Sequence, residues 1–264
     1  MKKPAFAFLL SNLIMLASCP LLLAQTPEEK GLAIAHKMKA TNLGWNDSIA
    51  SMELVLYDNR GNESLRKLRM KMKEVSDDGD KGLMIFDEPK DVRGTLFLNI
   101  SHALVPDDQW IYLPSLKRVK RISSKNKSGP FLGSEFAYED VGSFEVEKYS
   151  YTYLGDEACG EHICHMIKQI PLYTDSGYVK MRSWIDTQEF QQRKVEFYDR
   201  KDALLKTLTL SDYQIYLDKY WRSHKQTMVN HQTGSRTDLI TKTQTFQVGM
   251  DDSEFTQRAL KRIY

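Results

Sequence analysis

Hydrophobic and polar residues alternate with a period of two along most of this chain, and that period predicts strands. Met52, Leu54 and Leu56 fall on one side, with Ser51, Glu53 and Val55 on the other. The next run is sharper. Leu68, Met70 and Met72 alternate with Lys67, Arg69, Lys71 and Lys73, as in an antiparallel strand with one dry and one wet face. Asn59-Arg60-Gly61-Asn62 and Asp77-Asp78-Gly79-Asp80 read as turns around it. Further strand-like runs cover 82–86, 92–100, 109–113, 118–123, 144–154, 162–170, 179–186, 193–198, 204–216, 225–230 and 237–248.

The period changes at both ends. Pro27 to Thr41 predicts a helix, with Thr26 as cap, Pro27 in the first turn and Glu28 and Glu29 at the positive end. Leu32, Ala35 and Lys39 share one side, and Ile34 and Met38 lie on a neighbouring stripe. A second helix is expected from Asp251 to Ile263, where Phe255, Ala259 and Ile263 repeat at four and Asp252 is a candidate cap. A further helical piece is expected near 133–140. About ten or eleven strands result, so the fold class is mainly β, of the α+β kind. So long an antiparallel sheet twists and curls toward a barrel. Its inner face is rich in Met, Leu, Phe and Tyr, and helices or a ligand must cover it. No linker or internal repeat divides residues 25–264, which read as one domain.

The first residues read as an export signal. Lys2 and Lys3 precede a nearly continuous apolar run to Leu23, and cleavage is expected after Ala24. An alternative stays open. Leu16-Ala17-Ser18-Cys19 matches the short motif before a lipidated cysteine, which would anchor the chain through Cys19. The expected location is the periplasm, with a lipoprotein anchored through Cys19 as the alternative.

Charge narrows the partners. The chain carries 37 Lys+Arg and 35 Asp+Glu. Removing the signal takes Lys2 and Lys3 and no acid, so the mature chain is neutral and gives no global case for nucleic acid. Any electrostatic partner must be read by a local patch. One such patch exists: Lys117, Arg118, Lys120, Arg121, Lys125 and Lys127 crowd one segment with no acid between them. It is either a solvated strand face or a docking patch for anionic head groups or an acidic partner.

Trp110 and Tyr112 precede this patch on one strand face, with Ile111 and Leu113 on the other. One pair belongs to the core; the aromatic pair would suit the mouth of an apolar cavity. Phe131, Leu132 and Phe136 punctuate a Gly- and Pro-containing loop, either tucked on the core or acting as a flap over a greasy ligand. Cys159 and Cys164 in CGEHIC suit a disulfide clipping a hairpin outside the cytoplasm; a metal site with His162 and His165 is the sharper alternative. Catalytic signatures are thin. There is no Gly-x-Ser-x-Gly elbow and no His-Glu-x-x-His, and the paired acids adjoin turns. No cofactor is implied.

The order RGT, DQWIYLPSLKRVKRI and KSGPFLGSEFAYED between Arg93 and Val141 resembles the outer-membrane lipoprotein-sorting family, similar to the carrier LolA and its receptor LolB. The resemblance is weaker but collinear over the rest, including the closing FTQRALKRI. It implies a curved antiparallel sheet forming an unclosed barrel with helices on its concave side. It also implies a non-enzymatic, monomeric periplasmic carrier of lipid or lipoprotein acyl chains. An inner-membrane transporter and an outer-membrane acceptor would be its partners. The alternative is an accessory module of an RND-type transporter, soluble or lipid-anchored. On the carrier reading Leu54, Leu68, Met70, Phe97, Trp110, Tyr112, Phe131, Phe136 and Tyr151 line the cavity, and the basic run docks.

Overall fold

The computed structural model describes residues 25–262. The export signal, the Cys19 motif and Ile263 lie outside the described residues. The chain opens with α1 (Pro27–Ala40) and continues with β1 (Asp47–Tyr57), β2 (Glu63–Lys73), β3 (Lys81–Glu88), β4 (Leu96–Ile100), β5 (Asp108–Leu113) and β6 (Arg118–Arg121). After a long connection come β7 (Tyr149–Cys159), β8 (His162–Pro171), β9 (Lys180–Asp186) and β10 (Gln192–Tyr198). β11 (Leu204–Tyr216), β12 (Tyr220–Asn230) and β13 (Arg236–Phe246) complete the set.

All thirteen strands form one sheet in the order β6-β5-β4-β3-β2-β1-β13-β12-β11-β10-β9-β8-β7. Every pairing is antiparallel. β1 joins β13 through the middle, leaving β6 and β7 as free edges, so the curved sheet is not closed into a barrel. Thirteen strands replace the expected ten or eleven, because each alternating run finds its own partner, even four-residue β6. β12 begins five residues earlier than expected, since Tyr220 opposes Tyr216 at the tip of a long hairpin.

One face of the sheet buries Met52, Leu54, Leu68, Met84, Phe86, Phe97, Val195, Phe197 and Met228. Two pieces cover this concave face. The first is α1, whose capping box is made by Thr26 and Glu29: Glu29 N–H donates to Thr26 Oγ1 at 3.1 Å and Thr26 N–H to Glu29 Oε2 at 2.8 Å. Its buried residues are Gly31, Ile34, Ala35 and Met38, so Ala35 packs with the Ile34 and Met38 stripe, while Leu32 is exposed. Gly31 permits the close approach: a Cβ there would lie 2.9 Å from the Tyr153 backbone nitrogen on β7. Ile34, Ala35 and Met38 pack with Val146, Tyr151, Ile167 and Ile185.

The second cover is the connection from β6 to β7. It turns back across the concave face with 3-10 turns at Phe131–Gly133 and Tyr138–Val141, and it inserts Phe131 and Phe136 into the main core. So one α-helix and a looped plug do the work expected of several helices.

The convex face corrects two expectations. The C-terminal segment forms 3-10 turns at Asp252–Phe255 and Ala259–Lys261, not a continuous α-helix, and its cap is Asp251, which accepts from Ser253 N–H. Short turns set Met250, Phe255 and Leu260 down against Leu83, Ile85, Leu96 and Leu98. Trp110 and Tyr112 pack in this same cluster. They therefore belong to the convex side and not to a concave cavity. On β5 it is buried Gln109 that turns to the plug, donating to the Tyr138 carbonyl oxygen at 2.8 Å.

Candidate functional site

The concave face has a plugged half and an open half. In the plugged half Phe131 sits edge-on to Phe97, ring centroids 4.9 Å apart, and to Tyr138 at 5.4 Å. Leu54, Leu68, Phe97, Phe131 and Phe136 all meet here, none more than 5% exposed. Phe131 and Phe136 are thus tucked into the core. Tyr151 lies apart, beneath α1, and its hydroxyl donates to the Val146 carbonyl oxygen at 3.0 Å.

Polar anchors hold the plug. Lys206 Nζ donates to Asp140 Oδ2 at 2.6 Å and to the Glu135 carbonyl oxygen at 2.8 Å. Asp140 also accepts from the Tyr178 hydroxyl at 2.8 Å and from Ala137 N–H at 2.7 Å. Its neighbour Glu139 accepts from Gly177 N–H and the Ser176 hydroxyl, each at 2.9 Å, and from the Tyr173 hydroxyl at 3.1 Å. Burial, and then the nearby Asp140 charge, push the Glu139 carboxyl above the usual range, although its hydrogen bonds pull the other way. Arg66 Nη1 adds a bond to the Leu132 carbonyl oxygen.

The open half is a cavity of about 420 Å³ beside the C-terminal end of α1. Met38, Met52, Met70 and Met72 make much of its apolar wall, with Trp45 and Leu210. Of the residues expected to line a cavity, Met70 lines this one. Lys39, Asp80 and Arg222 bring charge to it. Lys39 pairs with Glu145 at 3.0 Å. Burial pushes the Asp80 carboxyl up to about 6, against the opposing pull of Lys39. Arg222 is buried enough that desolvation lowers its pKa.

The basic run is not one surface. Lys117, Arg118, Lys120, Arg121 and Lys125 are exposed, at or beside the free edge strand β6. Arg121 pairs with Asp108. Lys127 is half-buried and donates to the Asp107 carbonyl oxygen at 2.6 Å, and burial lowers its pKa. Charge along a free edge also blocks strand addition by another chain. Cys159 and Cys164 form a disulfide across the β7–β8 hairpin, which removes both thiolates from any metal site. Among the described residues no group of three or more His, Cys, Asp or Glu is placed to hold a metal. Lys206, Asp140, Asp80 and Arg222 escaped sequence reasoning. Each meets partners far away in the chain, and a lone Lys or Arg in an alternating strand reads as its wet face.

A protein-family profile described as an uncharacterized protein matches residues 78–262. No curated protein matches the chain. Solved structures do. A domain from Vibrio parahaemolyticus, provisionally designated an outer membrane lipoprotein-sorting protein, is 55% identical with a TM-score of 0.88, covering 89% of this chain and 100% of that one. A DUF1329 family protein from Desulfovibrio piger ATCC 29098 is 25% identical, TM-score 0.85, over 89% of this chain and 99% of its own. A LolA superfamily protein from Nitrosomonas europaea shares the fold at 19% identity and TM-score 0.70, over 87% of this chain and 98% of its own. The sheet order, the concave plug and these similarities agree: the chain belongs to the outer-membrane lipoprotein-sorting protein family and carries the LolA-like fold.

Proposed function

We propose that this protein is an exported carrier that shields acyl chains of a lipoprotein or lipid on the concave face of its sheet. The observation that carries the reading is the methionine-walled cavity of about 420 Å³ next to a plug held by specific polar contacts. Methionine adapts to irregular apolar guests. Each methylene moved out of water is worth about 0.8 kcal/mol, so even partial burial of one chain gives usable affinity without chemistry. The cavity can take part of a chain as it stands. Release of Phe131 and Phe136 would extend it toward Leu54, Leu68 and Phe97. The exposed cations Lys117, Arg118 and Lys120 would steer the loaded carrier to an anionic membrane or an acidic partner. The periplasm is the compartment that suits the export signal, the disulfide and a relative designated for lipoprotein sorting.

The filled half of the cup supports a second reading, a transporter-associated module that carries no lipid. Titration with a fluorescent acyl probe separates the two. Saturable binding, lost on replacing Met70 and Met52 with Gln, is the expected result. No binding at any accessible concentration overturns the carrier reading.

A further inference from the structure

Arg222 lies in the wall of the open cavity. Its guanidinium is held in place: Nη1 donates to Asn42 Oδ1 at 2.7 Å and to the Trp221 carbonyl oxygen at 2.9 Å. The rings of Trp45, Tyr220 and Phe246 stand 5.9, 5.6 and 5.5 Å from its central carbon. Those are the surroundings of a positioned side chain, not of one waving in solvent. Yet among the described residues no carboxylate lies within 4.0 Å of it. Arg222 is half-buried, and Asp80 and Glu74 act on its charge only from beyond contact distance.

The acids nearby have partners of their own. Glu74 accepts from Gly44 N–H at 2.6 Å and Asn46 N–H at 2.9 Å. Glu145 is bound by Lys39 at 3.0 Å and by the Ser143 hydroxyl at 2.5 Å. Asp80 accepts from Val75 N–H at 3.2 Å. Asp80 also faces the cavity, and so does Lys39, whose charge is matched by Glu145, so of the two lining cations Arg222 is the one without a carboxylate in contact. Against this stands the apolar wall of Met52, Met70, Met72 and Leu210. A fixed guanidinium with no carboxylate in contact, set in the wall of a greasy cleft, suits an amphiphile whose head is anionic. Guanidinium N–H groups match the two oxygens of a carboxylate or phosphate.

We propose that Arg222 binds the oxyanion head group of an acyl amphiphile whose tail lies along the methionine wall. This rests on the carrier reading and narrows it to ligands with an ionised head. The cavity therefore discriminates by charge among molecules with the same tail.

The test is equilibrium binding of oleate and of methyl oleate, below their aggregation concentrations, to the full mature chain and to its R222M and R222K variants. Circular dichroism and thermal melting confirm that each variant is folded. Wild type should bind oleate about tenfold or more tighter than methyl oleate, the gain of a charge-assisted hydrogen bond. R222M should lose that preference, R222K should keep part of it, and methyl oleate should bind all three alike. Inorganic phosphate and acetate at millimolar concentration should not displace oleate, because the tail supplies much of the affinity; displacement would mean a free-anion site and overturn the amphiphile proposal. Equal binding of oleate and methyl oleate by wild type overturns the head-group role and leaves the carrier intact. Should neither ligand bind wild type, both readings fall. If R222M weakens both ligands equally, Arg222 is structural, and the proposal is overturned. If R222M fails to fold, R222K decides alone: a reduced preference for oleate, with methyl oleate binding unchanged, supports the proposal, and an unchanged preference or an equal loss of affinity for both ligands overturns it.

Discussion

Replacing Lys206 with Met removes the cation that ties the plug to the sheet. The Lys206 and Asp140 side chains are 5% and 6% exposed, 2.6 Å apart, and separated by 66 residues in sequence. Loss of one partner of a buried pair costs about 3–5 kcal/mol, because the other charge stays behind. Here the lower end applies. Asp140 keeps the Tyr178 hydroxyl and Ala137 N–H, which leave it partly satisfied. The loss of about 3 kcal/mol falls on the plug more than on the strands, since β11 retains its ladders to β10 and β12. Local opening free energies in such segments lie below the global value. Amide exchange in 131–141 should therefore speed by about two orders of magnitude, at about 1.4 kcal/mol per decade, while β1 and β13 change little. If the plug competes with cargo, the same variant should bind a long acyl probe more tightly, because the competent state is more populated. The double variant K206M/D140N removes the stranded charge and should recover part of the stability. Urea unfolding with m unchanged and a loss below about 1 kcal/mol would refute the assignment of the pair as the plug's anchor.

Asp80 makes a pH prediction. Its carboxyl is held near 6 when folded, against an ordinary value of 3.8, so the folded state binds the proton more tightly than the unfolded chain. The sign follows: its contribution is fully present below pH 3.8 and is lost as pH rises through about 6, worth up to about 3 kcal/mol. D80N should thus gain stability over wild type between pH 4 and 7 in urea titrations, and parallel curves would contradict this. Gly31→Ala places a Cβ 2.9 Å from the Tyr153 backbone nitrogen and should cost about 1–3 kcal/mol by lifting α1 from β7, read as a lower Tm. The quadruple variant K117E/R118E/K120E/R121E, at exposed positions of the β6 hairpin, should keep its Tm and lose co-sedimentation with vesicles rich in anionic lipid. Retained sedimentation would remove the docking role.

Much of the sheet was legible because alternation is a local signal. β2 shows this best: Leu68 and Met70 turn inward while Lys67, Arg69 and Lys71 do not. Face assignment was less legible. Period two says that Trp110 and Tyr112 share a face and Ile111 takes the other, but not which face is concave. That choice depends on Phe255 and Leu260, more than a hundred residues later, which cover the convex side. Gln109 carried a clue: on the wet side of an exposed strand it would need no partner, yet it is fully buried and bonded to Asn99 and Tyr138. The C-terminal segment misled because a repeat of four fits Phe255 and Ala259, while the contacts are made by Met250, Phe255 and Leu260. The charged parts of the concave face were invisible for a different reason. Arg222 is fixed by Asn42 and faces Trp45, and Lys206 meets Asp140, so their roles exist only after the sheet has curled.

The most direct test of the carrier claim is the native mass of the protein purified from its own host, followed by extraction and identification of any bound lipid. The account predicts a stoichiometric acylated species with an ionised head, released on denaturation. A clean apo mass, from a protein that also fails to take up added acyl probes, would contradict it.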